Sequence, residues 1–293
     1  MSEDAVRGVQ ADAPMTSAPV VTVAVCQLGP VFGAVPANIA MVETAVAAAA
    51  ADGAEIVVLP ELVTTGYVFE SAEEARGLAE PVDGPSLRAL TTLAADLDLV
   101  VAGGFAELAT DGAVYNSAVL IDRSGVRAVY RKAHLWAQEQ WWFTAGNHPP
   151  PVVDTDRGRI GMLVCYDLEF PEWPRTAALA GADLLCVPTN WPALPVPHGE
   201  RPVDVVRAQA AASVDRIFVA VCDRVGPERG TDWVGGSAII GPDGYPLALA
   251  GVGAQTLLAR CELARARDKS TSPLNDVVED RRPELYGRVT TAQ

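Results

Sequence analysis

Short apolar runs that do not alternate with polar residues recur along the chain and limit what it can become. "VTVAVC" (21–26), "IVVLP" (56–60), "LVVAGG" (99–104), "IGMLVC" (160–165), "LLCVP" (184–188) and "IFVAVC" (217–222) are apolar at almost every position, Thr22 being the one polar residue among them. Successive side chains of a strand point to opposite faces, so strands like these need an apolar partner on both sides. Helix-like stretches separate them: the Ala-rich "PANIAMVETAVAAAAADG" (36–53), "PSLRALTTLAADLD" (85–98), "PEWPRTAALAGA" (171–182) and "ERPVDVVRAQAAASV" (200–214). Proline near the start of a stretch suits the first helical turn, where an N–H is unpaired anyway. The alternation predicts an α/β fold of sheets covered by helices. Three strand signals follow one another directly at 99–108, 113–122 and 126–132, which predicts an antiparallel meander inside the alternating pattern. The stretch 159–167 reads as one strand, 236–250 as a hairpin turning at Pro242-Asp243-Gly244, and 254–263 as the last strand.

No Ser/Gly-rich linker divides the chain. The reading is therefore a loose leader over 1–19, one domain over 20–262, and a polar, proline-broken extension over 263–293 that packs on the domain or on a partner subunit. Against 22 basic residues stand 37 acidic ones, a formal charge of −15. That balance argues against nucleic acid and anionic membrane surfaces, which attract basic patches. No run approaches the roughly 18 consecutive apolar residues of a membrane span. The leader lacks a basic-then-apolar signal pattern, and the five cysteines have no paired spacing. Reduced thiols and a cytoplasmic location are the expectation.

Among the 22 basic residues only Lys132 and Lys269 are lysines. Arginine presents a planar fork that stays charged, whereas lysine offers a compact, tunable ammonium. Lys269 lies in the polar segment "RARDKSTSP" and is read as incidental; Lys132 ends an apolar run. Two other runs also finish in a reactive side chain, "IVVLPE" in Glu61 and "MLVC" in Cys165. In α/β sheets the strand ends and the loops after them converge on clefts. Cys26, Cys186, Cys222 and Cys261 read as core thiols. Asp167, Glu169 and Glu172 crowd behind Cys165 and would suppress its thiolate. A reactive thiol there needs a positive partner and a general base. The chain has no G-x-S-x-G elbow, no phosphate-binding G-x-x-x-x-G-K-[ST] loop, no H-E-x-x-H and no C-x-x-C, and its three histidines are not spaced as a metal site. No cofactor or metal is expected.

"LPELVTTGY" (59–67), "RKAHLWAQE" (131–139) and "MLVCYDLEFPE" (162–172) resemble, in chain order, the three catalytic blocks of the nitrilase superfamily, the carbon–nitrogen hydrolases. The resemblance spans roughly residues 20–290. It implies a four-layer α-β-β-α sandwich, homodimeric or larger. It makes Cys165 the nucleophile, Glu61 the general base, Lys132 the stabiliser of the tetrahedral intermediate, and Glu139 a second glutamate that positions substrate. "CYD" resembles the amidase-like branches more than the nitrilases, which favours hydrolysis of a small linear amide over a nitrile or an N-carbamoyl compound. Arginines that grip a carboxylate in carbamoylases are absent after the cysteine block, where Leu168-Glu169 stands. Glu169 is instead a candidate partner for an amine-bearing amide. His134, two residues past Lys132, is a weaker candidate for a Cys–His pair. The aromatic residues near the blocks, Tyr67, Trp136, Trp141, Trp142, Tyr166, Trp173 and Trp191, suggest a pocket wall. Tyr67, Tyr166, Asn190, Trp191, Trp136 and Trp142 are the candidate substrate contacts.

Overall fold

The computed structural model of the chain describes residues 20–291; the expected leader 1–19 lies outside the described residues. The first half runs β1 (Val21–Gln27), α1 (Val35–Ala51), β2 (Ile56–Val58), α2 (Ala72–Leu78), α3 (Pro85–Leu97), β3 (Val100–Leu108), β4 (Val114–Asp122) and β5 (Gly125–Arg131). The second half continues with α4 (Glu139–Trp142), β6 (Val152–Thr155), β7 (Gly158–Met162), α5 (Glu172–Leu179), β8 (Leu184–Pro188), α6 (Val203–Asp215) and β9 (Phe218–Cys222). Strands β10 (Ala238–Ile240), β11 (Pro246–Leu249) and β12 (Gln255–Cys261) follow. Among the described residues no helix is long and apolar enough to cross a membrane.

Two six-stranded sheets form, ordered β12-β1-β2-β3-β4-β5 and β11-β10-β9-β8-β7-β6. Each has a parallel centre, β1-β2-β3 in one and β7-β8-β9 in the other, flanked by antiparallel strands. The expected meander is β3-β4-β5. The non-alternating runs are explained by what each face meets. Val21, Val23 and Val25 of β1, with Ile56 and Val58 of β2, join the core shared with the second sheet. Ala24, Cys26, Val57 and Leu59 point the other way, into a core with Val42 and Val46 of α1 and Leu87 and Leu90 of α3. Burial on both faces is what a central parallel strand requires. Helix α6 covers the second sheet through Val205, Ala208 and Ala212. The result is the four-layer α-β-β-α sandwich.

Three of these elements were not anticipated. Helix α2 starts at Ser71, whose side chain accepts the Glu74 N–H at 3.1 Å, a cap legible as S-x-x-E. The single turn α4 and the short edge strand β6 carry little periodicity. The strand expected over 159–167 stops at Met162. The Asp167 carboxylate accepts the Val164 N–H at 3.1 Å, and the Asp167 N–H donates to the Val164 carbonyl at 3.0 Å. That local pairing turns the chain out of the sheet before Cys165. Strand β12 crosses back to pair with β1 over seven residues, so the end of the domain locks onto its beginning.

Lys269 is not incidental. Its ammonium donates to the carbonyls of Asp215 and Arg216, both at 3.0 Å, where α6 ends on the left-handed residue Arg216. A compact cation with three donors can satisfy two orphan carbonyls at a helix C-terminus. Arg267 adds a two-point pairing with Asp183, at 3.0 and 2.9 Å, and Arg175 donates to the Val277 carbonyl at 3.3 Å.

Gly104 of β3 sets the position of Glu61. A Cβ there would lie 2.4 Å from the Leu62 nitrogen and 2.6 Å from the Glu61 Cα, so backbone would have to move. Gly104→Ala should destabilise the protein by about 1–3 kcal/mol in urea unfolding. Its activity should fall more than that of Gly251→Ala, whose Cβ would meet no atom closer than 3.7 Å.

Candidate active site

The three strand-end residues converge. Glu61 follows β2 and is tied to both sheets. The Gly104 N–H donates to the preceding Pro60 carbonyl at 3.0 Å, and the Glu61 N–H donates to Thr189, just after β8, at 3.4 Å. Asn190 completes the tie, its side-chain amide donating to the Glu61 carbonyl at 2.9 Å. Lys132 follows β5 directly, with its N–H on the Asn116 carbonyl and its own carbonyl accepting from Gly146. Both side chains are fully buried.

The Lys132 ammonium bridges two carboxylates, donating to Glu61 Oε1 at 2.8 Å and to Glu139 Oε1 at 2.7 Å. Asn116 donates to the same Glu61 oxygen at 2.7 Å. Tyr67 donates its hydroxyl to Glu139 Oε1 at 2.6 Å, and the Trp136 N–H reaches Glu139 Oε2 at 3.1 Å. Glu139 is therefore fully engaged by protein groups, whereas Glu61 Oε2 is buried with no partner. A metal bridging the two glutamates would need the place that the lysine nitrogen holds.

Cys165 opens a 3₁₀ turn over Cys165–Glu169, with φ at +47° in the left-handed region. Its thiol faces the Asn190 carbonyl at 3.8 Å. The turn is fixed by Asp167, which is fully buried and accepts from four donors: the Val164 N–H, the Tyr130 hydroxyl at 2.8 Å, the His134 N–H at 3.0 Å and, at 2.7 Å, the His134 ring Nδ1. Asp167 thus joins the cysteine turn to the segment carrying Lys132. Leu62, Ala137 and Arg229 share the left-handed conformation of Cys165 and sit next to or near Glu61, Glu139 and Glu228. Such strain persists only where the surroundings over-determine it, and it gathers at functional sites.

Electrostatics set the protonation states. Burial raises the Glu61 carboxyl from 4.5 to about 7; the Lys132 charge opposes the rise and the Glu139 charge adds to it. Burial and the Glu61 charge push the Cys165 thiol well above its usual value, against the pull of Lys132. For Lys132, burial acts downward, but the two carboxylates win and hold it firmly charged. The resting site is thus a neutral thiol beside an ammonium, with one carboxyl able to change protonation near neutral pH.

The remaining candidates divide. Tyr67, Trp136 and Trp142 line a cavity of about 380 Å³ whose wall includes Glu139. Asn190 is buried and braces Glu61. Trp191 is buried in the core that includes the second sheet and α6, its backbone N–H donating to the Asp223 carboxylate at 3.0 Å, and it does not line that cavity. Tyr166 packs edge-on against Phe170, outside the cavity wall. Glu169 pairs with Arg207 at 3.0 Å, which engages the carboxylate that an amine-bearing substrate would need. Trp141 is exposed, and Trp173 donates to the Tyr130 hydroxyl at 2.7 Å. His134 turns to Asp167 and stacks on Phe170 at 3.7 Å rather than serving the thiol.

Sequence reasoning missed Asn116, Glu228 and Trp233. Asn116 was visible as a polar residue amid the apolar strand "VYNSAVLID". Glu228 sits in a loop without periodicity, yet it accepts the N–H groups of Tyr67 and Val68 at 2.8 and 2.7 Å and pairs with the buried Arg224 at 2.7 Å. It holds the loop that carries Tyr67. Trp233 completes the cavity, meeting Tyr67 edge-on at 5.4 Å.

Known proteins share this arrangement of sheets and sequence. Residues 22–270 match the carbon–nitrogen hydrolase family. A protein named nitrilase from Pyrococcus abyssi is 35% identical over 92% of this chain and 100% of its own length. An (R)-stereoselective amidase from a Pseudomonas species is 33% identical over 86% of this chain and 88% of its own. The crystal structure of an amidase from a Nesterenkonia species superposes with a TM-score of 0.77 at 29% identity, covering 92% of this chain and 96% of that one. In one form of that enzyme the acetamide moiety of fluoroacetamide is added covalently to the active-site cysteine. With a match that spans most of its length, this chain belongs to the carbon–nitrogen hydrolases of the nitrilase superfamily.

Proposed function

We propose that the chain hydrolyses a small linear amide to a carboxylic acid and ammonia through a thioester on Cys165. The observation that carries this reading is the unpartnered Glu61 Oε2, beside an ammonium locked between two carboxylates. An amide carbonyl is a weak electrophile, so the sulfur must be deprotonated next to it. A carboxylate raised to about 7 is matched to that task at neutral pH. The thiol proton passes to Glu61, and the thiolate forms a carbon–sulfur bond to the carbonyl carbon. The carbonyl oxygen becomes an oxyanion, stabilised by the Lys132 ammonium and the Tyr166 N–H more strongly than the starting carbonyl. Collapse breaks the carbon–nitrogen bond, and the departing nitrogen takes the proton from Glu61 as ammonia leaves. Water then gives a proton to Glu61 and attacks the thioester. The second collapse releases the acid and returns the proton to sulfur.

Glu139 serves this scheme by fixing the lysine. All of its bonds run to protein groups, so its contribution is positional. The amidase reading is favoured over nitrile or carbamoyl hydrolysis by the "CYD" sequence after the nucleophile. The similarity of the amidase from Nesterenkonia supports the same choice.

Cys165→Ala should abolish ammonia release from amides while leaving the far-ultraviolet spectrum and the unfolding midpoint near those of the parent; normal turnover would remove the mechanism. Lys132→Arg should lose about 100- to 1,000-fold in kcat, because a planar fork does not fit a point-charge site. Near-parental turnover would show that charge alone matters there. The pH dependence has a definite sign. Glu61 must begin as a carboxylate, so kcat/KM should fall below pH of about 7 as it takes a proton, and Glu61→Gln should erase this limb together with most of the rate. A panel of amides, nitriles and N-carbamoyl compounds assayed for ammonia tests the choice of branch, and a preference for nitriles would reverse it.

A further inference from the structure

The geometry points to a narrower substrate class for this site: carboxamides whose acyl group ends in a neutral aromatic ring. The inference rests on the amidase reading above and adds what the cavity itself requires. Its walls are formed chiefly by Tyr67, Phe69, Trp136, Trp142 and Trp233, and its volume is about 380 Å³. Roughly 150 Å³ of apolar cavity is enough to hold benzene. A substrate as small as acetamide would leave most of this space unfilled, whereas an aryl ring on a two-carbon tether would occupy a large part of it and gain edge-to-face contacts of the kind Tyr67 and Trp233 already make at 5.4 Å.

Charge selects against the alternatives. No lysine, arginine or histidine lines the cavity, and its single carboxylate, Glu139, is engaged at both oxygens. The nearby arginines are committed elsewhere. Arg224 pairs with Glu228 and lies over the Trp233 ring at 4.7 Å; Arg229 pairs with Glu74 and lies over Phe32 at 3.8 Å. A substrate carboxylate would therefore be desolvated without a partner, which is costly. The formal charge of −15 opposes its approach as well. A substrate ammonium fares little better, because Arg224 already places a cation against Trp233 and no free carboxylate waits at the wall. The cavity meets the buried cluster through Glu139 and Tyr67, and Pro192 on its wall follows the Asn190-Trp191 segment whose carbonyl faces the Cys165 thiol. The acyl substituent would rest in the cavity while the carboxamide reaches inward to the sulfur.

The test compares 3-phenylpropanamide, butanamide and succinamate, the last carrying a carboxylate at its far end. By kcat/KM for ammonia release, 3-phenylpropanamide should exceed butanamide by at least about 10-fold, and butanamide should exceed succinamate by at least as much. Trp142→Ala should collapse the phenylpropanamide-to-butanamide ratio toward one, and Trp142→Phe should restore part of it. In parallel, intrinsic tryptophan fluorescence of the Cys165→Ala protein measures binding without turnover, where 3-phenylpropanamide should again bind at least about 10-fold more tightly than butanamide. Cys165-dependent hydrolysis of butanamide with no aromatic preference, or with succinamate accepted equally, overturns this inference and leaves the amidase reading intact. Aromatic-selective binding without ammonia release from any amide overturns the amidase reading but keeps the cavity's preference. Equal binding of all three overturns the preference whatever the turnover.

Discussion

A fully buried lysine between two carboxylates is the constraint on which the rest of this protein depends. Burying one ammonium and two carboxylates is expensive unless each finds its partner in good geometry. Here Lys132 meets Glu61 and Glu139 at 2.8 and 2.7 Å, and Asn116, Tyr67 and the Trp136 N–H supply the remaining donors. Removing the ammonium would leave two carboxylates facing each other in a dry interior, a change that for buried pairs costs about 3–5 kcal/mol. The oxygen the cluster leaves without a partner, Glu61 Oε2, is the one the proposed chemistry uses.

The sandwich exists, in this sense, to hold that cluster. Glu61 and Lys132 come from the first sheet, Cys165 and Asn190 from loops of the second. Strain and hydrogen bonds lock the two sources together. Asn190 ties its loop to the Glu61 carbonyl, and Asp167 ties the cysteine turn to Tyr130 and His134 on either side of Lys132. Neither sheet alone would carry a site. The core between them, built from the inward faces of β1, β2 and the second sheet, supplies the rigidity that keeps such contacts within a fraction of an ångström.

Legibility from sequence followed the range of the interactions. Strands buried on both faces announce themselves as near-continuous apolar runs, and helices by proline starts, so the alternating architecture could be read directly. The three reactive residues stood out because each ended such a run. The single turn α4 and the four-residue edge strand β6 did not, since so few residues leave almost no periodic trace, and the seven-residue α2 was marked only by its S-x-x-E cap. Glu228 was invisible for a related reason: its value lies in accepting the N–H groups of Tyr67 and Val68, 161 and 160 residues away along the chain. Lys269 was misread because a helix C-terminus in need of a cation is a tertiary fact, not a local pattern.

By itself the sequence determined the α/β class, the two-sided burial of the strands, and which carboxylate, amine and thiol were candidates, because these depend on residue type and short-range spacing. Only the tertiary structure decided which other groups join them. It sent Trp191 into the core, spent Glu169 on Arg207 and turned His134 to Asp167, while bringing Asn116 and Trp233 to the site. Those assignments depend on packing between segments far apart in the chain. A side chain's pKa, its partners and the wall it faces are properties of that packing, which no stretch of residues specifies alone.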